Sequence, residues 1–98
     1  MKLILSTPDG IRAAAHISAD HQSGLISVKT GLVMAFAMAD DIEANHDRKV
    51  VWFNHGMRRV PIGPLTDKSF KLMVTSLKEV ALAMPQHKHR LQPEPEDA

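Results

Sequence analysis

Short apolar runs separated by polar turns make up the first third of the chain. Leu3-Ile4-Leu5 ahead of Thr7-Pro8-Asp9-Gly10 predicts a strand ended by a turn, because Pro fixes φ, Asp bonds back to the backbone and Gly accepts φ > 0. Ile11, Ala13, Ala15 and Ile17 alternate as a strand does, while Arg12-Ala13-Ala14-Ala15 has helix-forming composition. The alternation favours a strand in a hairpin with the first, with helix as the alternative over 11–18. After the polar stretch from Asp20 to Gly24, Leu25 to Thr30 predicts a third short strand.

The pattern then changes. Leu32 to Ala39 is an apolar block rich in Ala and Met, with large residues at even positions and small ones at odd positions. Size alternation points to a strand, but Ala and Met favour helix, and Leu32, Ala35, Phe36, Ala39 and Ile42 follow helical spacing. Composition and length predict a helix here, closed by Asn45-His46-Asp47. Lys49 to Phe53 combines β-branched and aromatic residues and predicts a core strand. Val60 to Pro64 carries two prolines, which restricts it to an edge strand or an extended loop. Thr66-Asp67 offers a cap to a last helix, whose apolar positions Phe70, Met73, Val74, Leu77, Val80, Ala81 and Met84 repeat at i, i+3, i+4, i+7 until Pro85. The predicted architecture is a small α/β or α+β domain over residues 1–85, with two main helices on one sheet of four to five short strands. The Pro-containing, charged residues 86–98 are expected to form a disordered tail.

Composition narrows this. The chain has 98 residues, enough for one core but not two. With 44% hydrophobic and 4% aromatic residues, that core must be aliphatic. The formal net charge of +1 lacks the basic excess of a dedicated nucleic-acid binder, so nucleic acid is not expected as a partner. There is no Cys, which removes disulfides, thiolate metal sites and cysteine catalysis. The amino terminus lacks the apolar stretch of a signal peptide, and no run is long enough to cross a bilayer. A cytoplasmic protein is expected, with no cofactor and no metal.

Asn54-His55-Gly56-Met57-Arg58-Arg59 stands out as candidate chemistry. An imidazole, an amide and two guanidiniums beside a core strand could hold a carboxylate or phosphate, and Asn54, His55, Arg58 and Arg59 are the candidate ligand-binding residues. Glu43 and His46 have the Glu-x-x-His spacing of carboxylate-bridged metal sites, but one such pair is too few, and a solvated helix end is the expected reading. His87 and His89 read as incidental histidines of a basic tail, and His16 as a satisfied, partly buried histidine. Lys68, Lys71 and Lys78 read as a solvated helix face. No Gly-x-Ser-x-Gly, Gly-x-Gly-x-x-Gly or phosphate-binding loop occurs.

Gly31 to Ala39, then Lys49-Val50-Val51-Trp52-Phe53-Asn54-His55-Gly56, then Pro64-Leu65 leading into Phe70-Lys71-Leu72-Met73, resembles the DsrE/DsrF family of small α/β proteins. The resemblance covers about Leu32 to Met84. It implies an alanine-rich helix, a strand, a pocket-lining turn and oligomerisation. It does not imply sulfur transfer, because the sulfur-carrying Cys is missing. A helix apolar all round also implies burial on every side, so Leu32, Met34, Phe36 and Met38 are the candidate interface of a homo-oligomer. The expected function is a non-catalytic binding or regulatory module, contacting an anionic ligand or a protein partner through residues 54–59. The alternatives are an enzyme with His55 as acid or base and Arg58 or Arg59 steadying an anion, and a phage-type or mobile-element inhibitor of a host protein.

Overall fold

The computed structural model describes residues 1–84 and the backbone of 92–93. Strands β1 (Lys2–Ser6), β2 (Arg12–Ala19), β3 (Leu25–Lys29) and β4 (Met34–Met38) form an antiparallel meander in the order β1-β2-β3-β4. A 3-10 turn, Ala39–Asp41, carries the chain into a second sheet. That sheet consists of β5 (Ile42–Asn45), β6 (Val50–His55) and β7 (Arg58–Ile62), again antiparallel. Gln92–Pro93 (β8) pairs parallel with the outer edge of β5. Helix α1 (Asp67–Leu82) follows β7 and packs on β1, β2 and β6.

Two predictions are corrected here. The expectation of one sheet with two main helices gives way to two sheets and one helix among the described residues. The segment from Leu32 to Ala39 is a turn followed by β4, not a helix. Ala35 and Ala37 are fully buried while Met34, Phe36 and Met38 face outward, so the alternation of size was the decisive signal. The preference of Ala and Met for helix is worth at most a few tenths of a kcal/mol per residue. That is less than β4 gains by completing the ladder of β3 and packing beside β6 with Ala35 and Ala37 buried. The alanine-rich element that opens the likeness to the DsrE/DsrF family is therefore a strand. Residues 45–47, expected to close a helix, instead close the β5–β6 hairpin: the Asn45 side-chain oxygen accepts the N–H groups of Asp47 (3.1 Å) and Arg48 (3.0 Å).

Elsewhere local chemistry and structure agree. The alternation over 11–18 is β2, with Ala15 and Ile17 buried. Pro61 lies in β7, at the edge of its sheet, where a missing N–H leaves no ladder bond unmade. Thr66 caps α1, its hydroxyl accepting the Ser69 N–H at 3.2 Å. The helix is then tied to β1: the Ser6 N–H donates to Ser69 Oγ at 2.8 Å, and the Thr66 N–H donates to the Ser6 carbonyl at 2.9 Å.

One core joins the layers. Leu3, Leu5, Ile17, Ile26 and Val28 from the first sheet meet Ile42, Val51 and Phe53 from the second, with Phe70, Met73 and Leu77 of α1, and Met84 just after it, closing the side. The expectations for Pro85, His87, His89 and a tail over 86–98 fall outside the described residues, apart from the backbone pairing of Gln92–Pro93.

Candidate functional site

Residues 54–59 are the end of the β6–β7 hairpin. Gly56, at φ 59°, is the first of the two turn residues between His55 and Arg58, the position that a II′ loop gives to Gly. In this register Asn54 pairs with Arg59 and His55 with Arg58. Successive strand residues point to opposite faces, so the four predicted ligand-binding side chains separate into two pairs. A site that combines His55 with Arg59 does not form.

Asn54 and Arg59 join the outer face of the second sheet. Arg59 Nη1 donates to Glu43 Oε1 at 2.7 Å and to Asn54 Oδ1 at 2.8 Å, and its guanidinium lies 4.2 Å from the centre of the Trp52 ring. Asn54 Nδ2 donates to Glu43 Oε1 and to the Asp41 carbonyl, both at 3.1 Å. Glu43 already neutralises this guanidinium, so an incoming anion would compete with an intramolecular carboxylate. The sequence could not show this, because Glu43 meets Arg59 only when β5 pairs with β6 and β6 with β7.

His55 and Arg58 face the other way, over the edge of β4. The Arg58 guanidinium lies 4.8 Å from the centre of the Phe36 ring and donates from Nη2 to the Met34 carbonyl at 2.9 Å. The His55 ring meets Phe36 edge-on at 5.0 Å. Neither His55 nor Arg58 pairs with a carboxylate among the described residues. The structure thus combines two predicted groups of different kinds: Met34 and Phe36, expected at an oligomer interface, and His55 and Arg58, expected at a ligand.

The Glu-x-x-His pair is taken apart. Glu43 is on β5 beside Arg59, while His46 is in the following turn, edge-on to Phe70 at 5.1 Å. No group of three or more His, Asp or Glu side chains suited to a metal occurs among the described residues. His46 and Lys49 instead line a small cleft of about 180 Å³ with Phe70 and Lys71, where Lys49 faces Asp67 at 3.8 Å. His16, expected to be partly buried, is exposed on the outer face of β2. Leu32 is at the β3–β4 turn, 96% exposed, on the lip of an apolar cleft of about 460 Å³ with Ile11, Val33, Ile62 and Leu65. No described helix is long and apolar enough to cross a membrane.

No family model matches this chain, and no curated protein and no solved structure is similar to it.

Proposed function

We propose that the protein is a non-catalytic binding module that contacts an anionic partner through the Phe36, His55 and Arg58 end of the hairpin. The observation that carries this reading is the different state of two neighbouring arginines. Arg59 is committed to Glu43, whereas Arg58 is extended over an aromatic ring, exposed, with no carboxylate beside it among the described residues. A guanidinium held against a ring keeps its remaining donors outward and loses little further rotamer freedom on binding. The reading is tested by the salt concentration that elutes the protein from immobilised heparin. Arg58→Ala should elute distinctly earlier than Lys78→Ala, which removes the same unit charge from the exposed face of α1. The double change Glu43→Ala with Arg59→Ala, neutral in net charge, should elute with the wild type. Equal shifts for Arg58→Ala and Lys78→Ala would reduce the interaction to net charge and defeat the proposal.

A second reading, self-association, is favoured by the exposure of Leu32 and of Ile11 (59%) at the lip of the apolar cleft. Light scattering should then report a multimer that Leu32→Asp converts to a folded monomer. A monomeric wild type would end that reading.

A further inference from the structure

The outer face of the first sheet carries charge of one sign. Its strands contribute Lys2, Arg12 and Lys29, and β1 to β4 contain no Asp or Glu. The pairing register places Lys2 beside His16, His16 beside Lys29 and Lys29 beside Met34, one row across four strands. Lys2 and Lys29 are two strand spacings apart, about 10 Å. Beyond Met34 the row continues into Arg58, whose guanidinium bonds the Met34 carbonyl. None of these four cations has a carboxylate partner among the described residues. A near-neutral chain therefore presents a face with four positive charges and two histidines, because the carboxylates among the described residues lie in turns, β5 and α1.

The next row gives this face a second property. Ser18 pairs with Ser27 and Ser27 with Phe36, so short side chains leave a low floor that leads to the stacked Phe36 ring and Arg58 guanidinium. Rings and guanidinium planes are surfaces on which unstacked bases pile, while lysines along a sheet follow phosphates. A duplex keeps its bases stacked inside and could use only the cations. The carboxylates of an acidic peptide could use the outward donors of Arg58 but not the faces of the ring and guanidinium. We infer that the outer face of β1–β4, with Arg58, binds single-stranded nucleic acid: a base stacks at Phe36 and Arg58, and the phosphates lie along the row of Lys29 and Lys2. This inference rests on the anionic-partner reading of Arg58 and extends it to a partner class.

Fluorescence anisotropy of labelled oligouridylate and oligothymidylate of about 12 nucleotides, with the full chain, tests it. Three to four neutralised phosphates predict a slope of log K against log salt of about −2 to −3. Lys29→Gln should reduce that slope by about 0.7. Phe36→Leu, which keeps an apolar contact but removes the ring, should weaken binding at least about fivefold and leave the slope unchanged. Lys2→Glu with Lys29→Glu, both at exposed positions, provides a variant independent of packing at Phe36 and should abolish binding, with circular dichroism confirming the fold. Preference for the ribose or deoxyribose strand would support the inference either way and identify the source. Failure of both oligonucleotides to bind, with Arg58-dependent heparin retention intact, overturns the nucleic-acid inference but not the anionic-partner reading. Loss of that dependence as well overturns both. Competition by polyglutamate as effective as by oligonucleotide, with no effect of Phe36→Leu, would show an undiscriminating polyanion surface and overturn the inference.

Discussion

Alanine substitutions at three glycines separate two backbone effects that the structure places at different sites. At Gly63, φ is +127°, and an added Cβ would meet the Lys49 carbonyl oxygen at 2.7 Å, Val50 Cα at 3.2 Å and the Leu65 nitrogen at 3.3 Å. Those neighbours are all backbone and cannot rotate away, and the same Lys49 carbonyl accepts the Leu65 N–H at 2.9 Å. Backbone strain of roughly 1–3 kcal/mol, together with a weakened hydrogen bond of about 1 kcal/mol, gives a destabilisation of about 2–4 kcal/mol for Gly63→Ala. Gly56 shares the positive φ, at +59°, but an added Cβ there meets nothing within 4 Å. Only the conformational cost remains, about 1–2 kcal/mol. Gly31 has neither feature, so Gly31→Ala should be within about 0.5 kcal/mol of wild type or slightly stabilising. For 98 residues, 1 kcal/mol corresponds to about 5 °C in Tm. Thermal unfolding followed by circular dichroism should therefore rank Gly31→Ala, Gly56→Ala and Gly63→Ala in order of increasing loss, the last falling by roughly 10–20 °C. A Gly63→Ala protein no less stable than Gly56→Ala would refute the close approach of the β7–α1 connection to Lys49.

Three further outcomes are expected. Thr66→Ala should cost about 1 kcal/mol as the loss of a cap, and Ser69→Ala about 1–3 kcal/mol because it leaves the Ser6 N–H without its acceptor; urea denaturation measures both, and a neutral Ser69→Ala would detach α1 from β1. Phe53→Ala, at a site 1% exposed, should cost about 3–5 kcal/mol, against about 1–2 kcal/mol for Phe36→Ala on the outer face; the reverse order in denaturant midpoints would put the core on the wrong side of β4. The Asp20 carboxyl is held below its ordinary value of 3.8, chiefly by the Gln22 N–H, then by the Ser23 hydroxyl and N–H. A depressed folded pKa stabilises the fold above that value and is lost as pH falls through the folded one. The Tm difference between wild type and Asp20→Asn should therefore be constant from neutrality to about pH 5 and shrink as the pH falls below about 4; a difference that stays constant on acidification would remove the carboxylate's role in the β2–β3 turn.

Much of the fold is local chemistry and is legible in the sequence. The Thr66 cap and the period of Phe70, Met73, Val74 and Leu77 specify α1, an apolar run ended by a turn specifies β1, alternation specifies β2 and β3, and Pro61 restricts β7 to an edge. Where two local signals conflict, at Leu32 to Ala39, tertiary packing chooses: Ala35 and Ala37 are buried in a strand that pairs with β3 and lies beside β6, neighbours that the segment's own residues do not announce. The candidate site divides in the same way. The sequence supplies the cations and the ring, but pairing register decides which of them share a face. It joins Glu43 to Arg59 across three strands and sets Arg58 on Phe36 across two sheets. It also gathers Lys2, Lys29 and Arg58, scattered along the chain, into one row whose charge a net composition of +1 conceals. Sequence order fixes each residue's face within its own strand; only the assembled sheets fix the neighbours it meets there.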